Sequence, residues 1–168
     1  MQSQIAARMA GIGVVQPRLG SRSGICSRTH IMTLDGHLPV ELLSSGDRVI
    51  TRNGTRTLQA LHCFWLLDCP VRVSRGALGP NRPISDLILG PDQMVRLQDW
   101  YEQGTNRSNR FTAPVSRLVD DGLLNWADHS GEMLIFQLEF DDYYTFYAEG
   151  LEMISHLPEL ASATIAAE

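Results

Sequence analysis

The chain has 168 residues, which is long enough for one domain with a hydrophobic core of its own. Apolar residues make up 43% and charged residues 20%, as in ordinary globular proteins, and no apolar run approaches the roughly 20 residues that cross a bilayer. The first residues show no signal-peptide pattern. We therefore expect a cytoplasmic protein, or one at the periphery of a larger complex, without a transmembrane segment.

The charge is distributed unevenly along the chain. All fourteen basic residues are arginines, and four of them precede the first acidic residue, Asp35. A basic segment ahead of an acidic body is typical of an arm that contacts a partner or folds back onto the body. An acidic body repels phosphate, so we predict a protein partner and no nucleic acid.

The composition divides the chain into three parts. Residues 1–25 are rich in Gly, Ser, Arg and Gln without hydrophobic periodicity, which predicts a flexible basic N-terminal arm. Residues 26–157 carry the strand-like patterns of a folded domain, and residues 158–168 form a C-terminal tail. Any contact with a larger complex is expected to be made by this basic arm.

The folded part consists of short strand patterns separated by turn signals. The dipeptides Asp35-Gly36 and Asn53-Gly54 follow strand-like runs and predict two hairpins. Helical patterns are confined to short pieces at Val40–Leu43 and Val115–Val119. Many short strands with few helices predict an all-β fold.

Two longer segments predict further strands. Residues 55–67 are interpreted as one long strand. Residues 133–140 alternate between two faces, and residues 143–148 are interpreted as their hairpin partner across the acidic turn Asp141-Asp142.

The three cysteines predict neither a disulfide framework nor a metal site. Their number is odd, and none stands in a Cys-x-x-Cys or Cys/His pattern of metal-ligand spacing. Cys63 and Cys69 are predicted to be small core residues. No cofactor is expected.

Several segments of the chain occur in a recognisable order. Gly24-Ile25-Cys26 precedes a hairpin turn, Pro39-Val40-Glu41 and Gly46-Asp47 lead into a strand, and Ala148-Glu149-Gly150 lies near the end. This order resembles that of the Hint domain family, which includes inteins and Hedgehog autoprocessing domains, and most of all a bacterial subgroup. The resemblance spans roughly residues 26–157 and implies a compact all-β Hint-like fold.

The resemblance also implies a chemistry. In the family, the Cys that begins the domain attacks the carbonyl of the preceding residue, which here makes Cys26 the nucleophile candidate and Ile25 the acyl donor. A His in a Thr/Ser-Pro-x-His motif polarises the amide. This is nucleophilic catalysis with a positioned general acid.

The corresponding motif departs from that pattern, because it reads Gly90-Pro91-Asp92-Gln93. Gly90 stands at the position of the family Thr or Ser, and Gln93 at the position of the family His. A glutamine side chain can donate a hydrogen bond but cannot protonate a leaving amine, and loss of a general acid costs about 10²- to 10⁴-fold in rate. Restoring Gln93→His and Gly90→Thr is expected to raise thiol-induced cleavage at Cys26.

Two functions are consistent with these residues. In the first, the catalytic motifs are degenerate and the domain binds or assembles proteins through its fold and its basic arm. In the second, the domain is at most self-cleaving, by an N-to-S acyl shift at Cys26 with cleavage after Ile25. Splicing is not expected, since the terminal His-Asn pair is missing, and an ordinary hydrolase lacks its Gly-x-Ser-x-Gly signature.

Overall fold

A computed structural model describes residues 17–101, 108–128 and 132–156. These ranges contain fifteen short strands and two 3₁₀ helices, the helices at Val40–Leu42 and Val115–Leu118. In chain order, the strands are β1 (Arg18–Ser21), β2 (Ile25–Cys26), β3 (His30–Thr33), β4 (Gly36–Pro39), β5 (Arg48–Thr51), β6 (Gly54–Thr57), β7 (Ala60–Leu66), β8 (Val71–Val73), β9 (Leu87–Leu89), β10 (Met94–Tyr101), β11 (Ser108–Pro114), β12 (Leu124–Trp126), β13 (Leu134–Glu139), β14 (Thr145–Ala148) and β15 (Leu151–Ile154).

The strands form two sheets. The first has seven strands in the order β1-β7-β13-β2-β9-β8-β12, and the second has the order β11-β10-β15-β14-β3-β5-β6, with β4 added alongside β3. The prediction of an all-β fold with short helical pieces is confirmed. Within the described residues, no helix has the length and apolar character needed to cross a membrane.

Both predicted hairpins are present and share one construction. β3 pairs with β4 across Asp35-Gly36, and β5 pairs with β6 across Asn53-Gly54. In each turn a threonine hydroxyl, from Thr33 or Thr51, donates to the carbonyl of the glycine three residues on, at 2.7 Å and 2.6 Å. Both glycines have positive φ, of 95° and 89°, which favours glycine over other residues.

Two predicted elements are wrong because the chain changes sheet within them. The segment predicted as one strand over residues 55–67 divides at Leu58 into β6 of the second sheet and β7 of the first. The predicted hairpin of residues 133–140 with 143–148 does not form, since β13 pairs with β2 and β7 while β14 pairs with β15, β3 and β5. The Asp141-Asp142 turn therefore carries the chain between the sheets.

The N-terminal boundary of the domain lies earlier than predicted. Arg18–Ser21 forms β1, which pairs in parallel with β7, and the Leu67 N–H donates to the Ser21 carbonyl at 3.1 Å. The prediction of a flexible arm is therefore wrong for residues 17–25. Residues 1–16 and the predicted tail, 158–168, lie outside the described residues.

The core joins apolar side chains from both sheets. Phe136, Phe140 and Phe146 are among its largest members, and each is at most 2% exposed. Burying a side chain of this size stabilises the fold by about 1.5–3 kcal/mol. Cys63 belongs to this core as predicted, whereas Cys69 is exposed, which corrects the prediction for that residue.

Candidate functional site

The loop that follows β9 meets the segment that precedes β2. The Gly90 N–H donates to the Gly24 carbonyl at 2.9 Å, and the Asp92 N–H donates to the Arg22 carbonyl at 2.9 Å. The Arg22 guanidinium also contacts the Asp92 carboxylate at 3.0 Å. The motif loop of residues 90–93 is thus bound to Arg22–Gly24, which lie two to four residues before Cys26.

Two glycines make this close approach possible. A Cβ on Gly90 would lie 2.5 Å from the Arg22 carbonyl oxygen. A Cβ on Gly24 would lie 2.9 Å from the Phe136 carbonyl oxygen, and Gly24 has a φ of +153°. Cβ atoms essentially never approach other heavy atoms so closely. The space for a hydroxyl at position 90, or for any side chain at position 24, is filled by backbone.

Gln93, at the position of the family His, is engaged with backbone. Its side chain is buried, and its amide nitrogen donates to the carbonyls of Met94 at 3.1 Å and Ile154 at 3.2 Å. These two bonds use both amide hydrogens. Gln93 therefore links the start of β10 to the end of β15 and has no remaining side-chain N–H for the Ile25–Cys26 peptide.

Cys26 lies inside the first sheet. β2 is flanked by β13 and β9, with Cys26 opposite Ile135 and Ile25 opposite Leu89. The Cys26 thiol contacts the Met133 Sδ at 3.3 Å, and burial raises the pKa of this thiol to about 12. A neutral thioether neighbour offers no charge to stabilise a thiolate. The nucleophilic form of Cys26 is strongly disfavoured at neutral pH.

Two acidic residues of the Hint-like motifs accept hydrogen bonds from backbone N–H groups. The buried Glu41 accepts the Arg28 N–H at 2.7 Å, and Arg28 has a positive φ of 69°. Asp47 accepts the Ser44 N–H at 2.9 Å and so anchors the turn before β5. Both acids therefore accept backbone N–H groups and fix the local course of the chain, at Arg28 and at Ser44.

A polar cluster that contacts the segment before Cys26 was missed by the sequence analysis. We name it the clasp, and it consists of Ser21, Ser23, His62, Gln137, Glu139 and His156. Within it, the Ser23 hydroxyl lies 2.5 Å from the His156 Nε2, and His62 pairs with Glu139. The alternation predicted for residues 133–140 places Gln137 and Glu139 on one face, but no sequence pattern connects them with Ser23 or His156.

The clasp is not a metal site. Across the ranges that the structure describes, no group of three or more His, Cys, Asp or Glu side chains is arranged to hold a metal ion.

Comparison with known proteins places these observations in a family. The model of the Hint domain matches residues 24–159. The match begins at Gly24, the residue that the motif loop contacts. No curated protein matches the chain.

Two solved structures are similar to this chain. The solution structure of a bacterial intein-like domain from Clostridium thermocellum has a TM-score of 0.56 at 15% identity, and covers 81% of this chain and 99% of that one. The crystal structure of the gp41-1 intein has a TM-score of 0.49 at 10% identity, and covers 81% of this chain and 99% of that one.

Proposed function

The chain belongs to the Hint domain family, and from that premise we propose that it is a catalytically inactive member that serves as a protein-binding or assembly module. The observation that carries this proposal is the contact of Gly90 with Gly24, backbone to backbone at 2.9 Å. An acyl shift needs a nucleophile and a polarising group around one peptide bond. Here the backbones of Gly90 and Gly24 pack together where the motif loop of residues 90–93 meets the segment before β2.

The remaining groups support the same proposal. Gln93 cannot act as a general acid, and its amide hydrogens are committed to Met94 and Ile154. The alternative, an N-to-S acyl shift at Cys26, is opposed by the burial of the thiol and by its raised pKa. The Ile25–Cys26 peptide also lies within a strand that is paired on both sides.

The segment upstream of Cys26 belongs to the fold. β1 pairs with β7, and the Arg22 side chain contacts both Asp68 and Asp92. A self-cleaving domain would release this segment as its product. Here it forms the edge of the first sheet, which suits a domain that keeps its N-terminal residues.

Inactivity is tested by the intact mass of the purified chain under denaturing conditions. We expect only the full-length mass after overnight incubation, with or without added thiol, because the Cys26 thiol is buried and Gln93 cannot supply a proton. A splicing-competent intein treated in parallel shows that the thiol is effective. A fragment lacking residues 1–25 that forms from the wild-type chain, but not from Cys26→Ala, would overturn the proposal.

The structure leaves the N-terminal arm with fewer free charges than its sequence suggests. Arg18, Arg22 and Arg28 lie within the described domain, and Arg22 is neutralised by Asp68 and Asp92. Of the four N-terminal arginines, only Arg8 precedes the domain. Contact with a partner through residues 1–16 therefore depends mainly on their apolar members, which are Ile5, Met9, Ile12, Val14 and Val15.

We expect deletion of residues 1–16 to abolish capture of the partner from native lysate. Arg8→Gln should retain most of the capture at low and at high salt, because one exposed charge contributes little to binding. The bound proteins are compared by quantitative mass spectrometry. An unchanged set after the deletion would exclude the arm as the docking element, and loss of capture on Arg8→Gln would show that charge dominates.

A further inference from the structure

The loop between β8 and β9, residues 74–86, is cross-linked by hydrogen bonds at its base. The Gly76 N–H donates to the Pro83 carbonyl at 3.0 Å, and the Arg75 N–H donates to the Asp86 carboxylate at 2.7 Å. A loop that is ordered in this way loses little conformational entropy when a partner binds to it. The β8–β9 loop is therefore suited to recognition.

Glu149, in the turn between β14 and β15, joins this loop to the start of β3. One carboxylate oxygen of Glu149 accepts the Ser85 hydroxyl at 2.8 Å, and the other accepts the His30 N–H at 2.7 Å. The Glu149 carbonyl also accepts the Ile84 N–H at 2.8 Å. The β8–β9 loop and the residues around His30 therefore form one continuous surface.

This surface carries arginines without acidic partners. Three of its arginines form no ion pair with any residue that the structure describes, and they are Arg28, Arg75 and Arg82. The acidic groups beside them are already engaged, since Asp86 pairs with Arg72 and Glu149 binds His30 and Ser85. We name Arg28, His30, Arg75, Arg82 and Ile84 the basic surface.

The charge of the basic surface is opposite to that of the chain as a whole, whose net charge is −5 at pH 7. The surface also has an apolar member, because Ile84 is exposed and its side chain lies over the backbone of Gly150. Arginines around an apolar contact are typical of protein interfaces. An extended phosphate backbone would meet the acidic remainder of the domain and be repelled by it.

We propose that the basic surface docks an acidic protein segment in which an apolar side chain lies between carboxylates. The guanidinium groups bind the carboxylates, which they match because each can donate two parallel N–H bonds to one carboxylate. Ile84 contacts the apolar side chain. This inference rests on the proposed function as a protein-binding module, and it adds the chemistry of the partner to the contact expected from residues 1–16.

The test is a titration of a fluorescent peptide with the full chain, followed by anisotropy at low salt. The peptide consists of glutamates with one leucine at its centre. We expect Arg75→Gln/Arg82→Gln to weaken binding on the order of 10-fold, because two exposed ion pairs are lost. The backbone bond from position 75 to Asp86 is retained in this variant.

A matched variant removes the same charge elsewhere. Arg48 and Arg117 are exposed and form no ion pair with a described residue, and both lie outside the basic surface. Arg48→Gln/Arg117→Gln should therefore change binding by less than about twofold. Circular dichroism of both double variants checks that the fold is retained.

Two single variants test the extent of the basic surface. Arg28→Gln should weaken binding about threefold, because Glu149 holds the start of β3 beside the β8–β9 loop. Ile84→Ser should weaken binding at low and at high salt alike, since an apolar contact is not screened. Binding by the wild type should itself weaken as salt is raised, because its ion pairs are exposed.

The proposal would be overturned by a wild type that does not bind the glutamate peptide, or by equal loss of binding in the two double variants. Tighter binding of a short DNA duplex than of the peptide would also overturn it, by showing that the surface selects nucleic acid. Failure of the proposed function is seen separately, in the intact mass. A chain that keeps its full-length mass but ignores the peptide would exclude only the acidic partner.

Discussion

Gly90→Thr is expected to destabilise the domain by about 3 kcal/mol, at the upper end of the usual cost of overpacking, and to leave cleavage at Cys26 undetectable. A Cβ at position 90 would lie 2.5 Å from the Arg22 carbonyl oxygen and 3.0 Å from the Arg22 carbonyl carbon. Both are backbone atoms, which cannot rotate away as a side chain would. Overpacking of a fixed site costs about 1–3 kcal/mol and occasionally more, and here the Gly90–Gly24 and Asp92–Arg22 hydrogen bonds are strained as well.

The measurement is the free energy of unfolding from denaturant titration, compared with a matched glycine. Gly122→Ala is the control, because the nearest atom to its added Cβ is a side-chain oxygen of Asp120 at 3.4 Å. We expect that control to change stability by less than about 0.5 kcal/mol. A Gly90→Thr variant as stable as the wild type would show that the motif loop can move away from Arg22.

The lack of space at position 90 also changes what is expected of the variant in which both family residues are restored. The motif alone suggests that Gly90→Thr with Gln93→His rebuilds a catalytic pair and raises cleavage. In the structure, position 90 has no room for the hydroxyl, and a histidine at position 93 would replace a buried amide that holds Met94 and Ile154. We therefore expect no cleavage from the double variant. Thiol-induced cleavage by the double variant would show that the motif loop can accommodate the two restored side chains, against the lack of space at position 90.

Local signals predicted the local parts of the fold. The two hairpins and both 3₁₀ helices form where turn dipeptides and short apolar runs placed them, because their contacts lie within a few residues in sequence. The sheet changes at Leu58 and at Asp141-Asp142 were not predictable in this way. They depend on which distant strand each half pairs with, and periodicity carries no information on that choice.

The arm shows the same limit. Residues 18–21 have no alternating pattern, and the strand exists because β7 provides a parallel neighbour some 45 residues later. The hydrogen bonds that hold this strand come from that distant neighbour. The composition of residues 1–25 does not reveal the neighbour, and it therefore predicted a flexible segment.

The candidate site was predictable in its chemistry and not in its geometry. The replacements at Gly90 and Gln93 can be read directly from the motif, whereas the contact with Gly24 exists only once β2 lies beside β9. The clasp was missed because its serines and His156 are separated by most of the chain. A polar pair on one face of a predicted strand, here Gln137 and Glu139, was the available signal.

Cys26 is expected to react with a small alkylating reagent at least 100-fold more slowly than an ordinary exposed thiol at about pH 8. Its pKa of about 12 leaves on the order of one molecule in 10⁴ as thiolate, against roughly one in four for an unperturbed cysteine. The higher intrinsic nucleophilicity of a more basic thiolate offsets part of this difference. Burial inside the first sheet, against Met133, restricts access of the reagent further.

The rate is best measured on Cys63→Ala/Cys69→Ser, which leaves Cys26 as the single thiol, with mass spectrometry as the readout. The exposed thiol of Cys69 in Cys26→Ala/Cys63→Ala supplies the reference rate within the same fold. Denaturation should bring the two rates together, because the difference arises from burial. If native Cys26 reacted as fast as Cys69, a thiolate would be accessible at a site where burial favours the protonated thiol. The self-cleaving alternative would then regain its nucleophile, and the missing general acid at Gln93 would be the remaining chemical obstacle to an acyl shift.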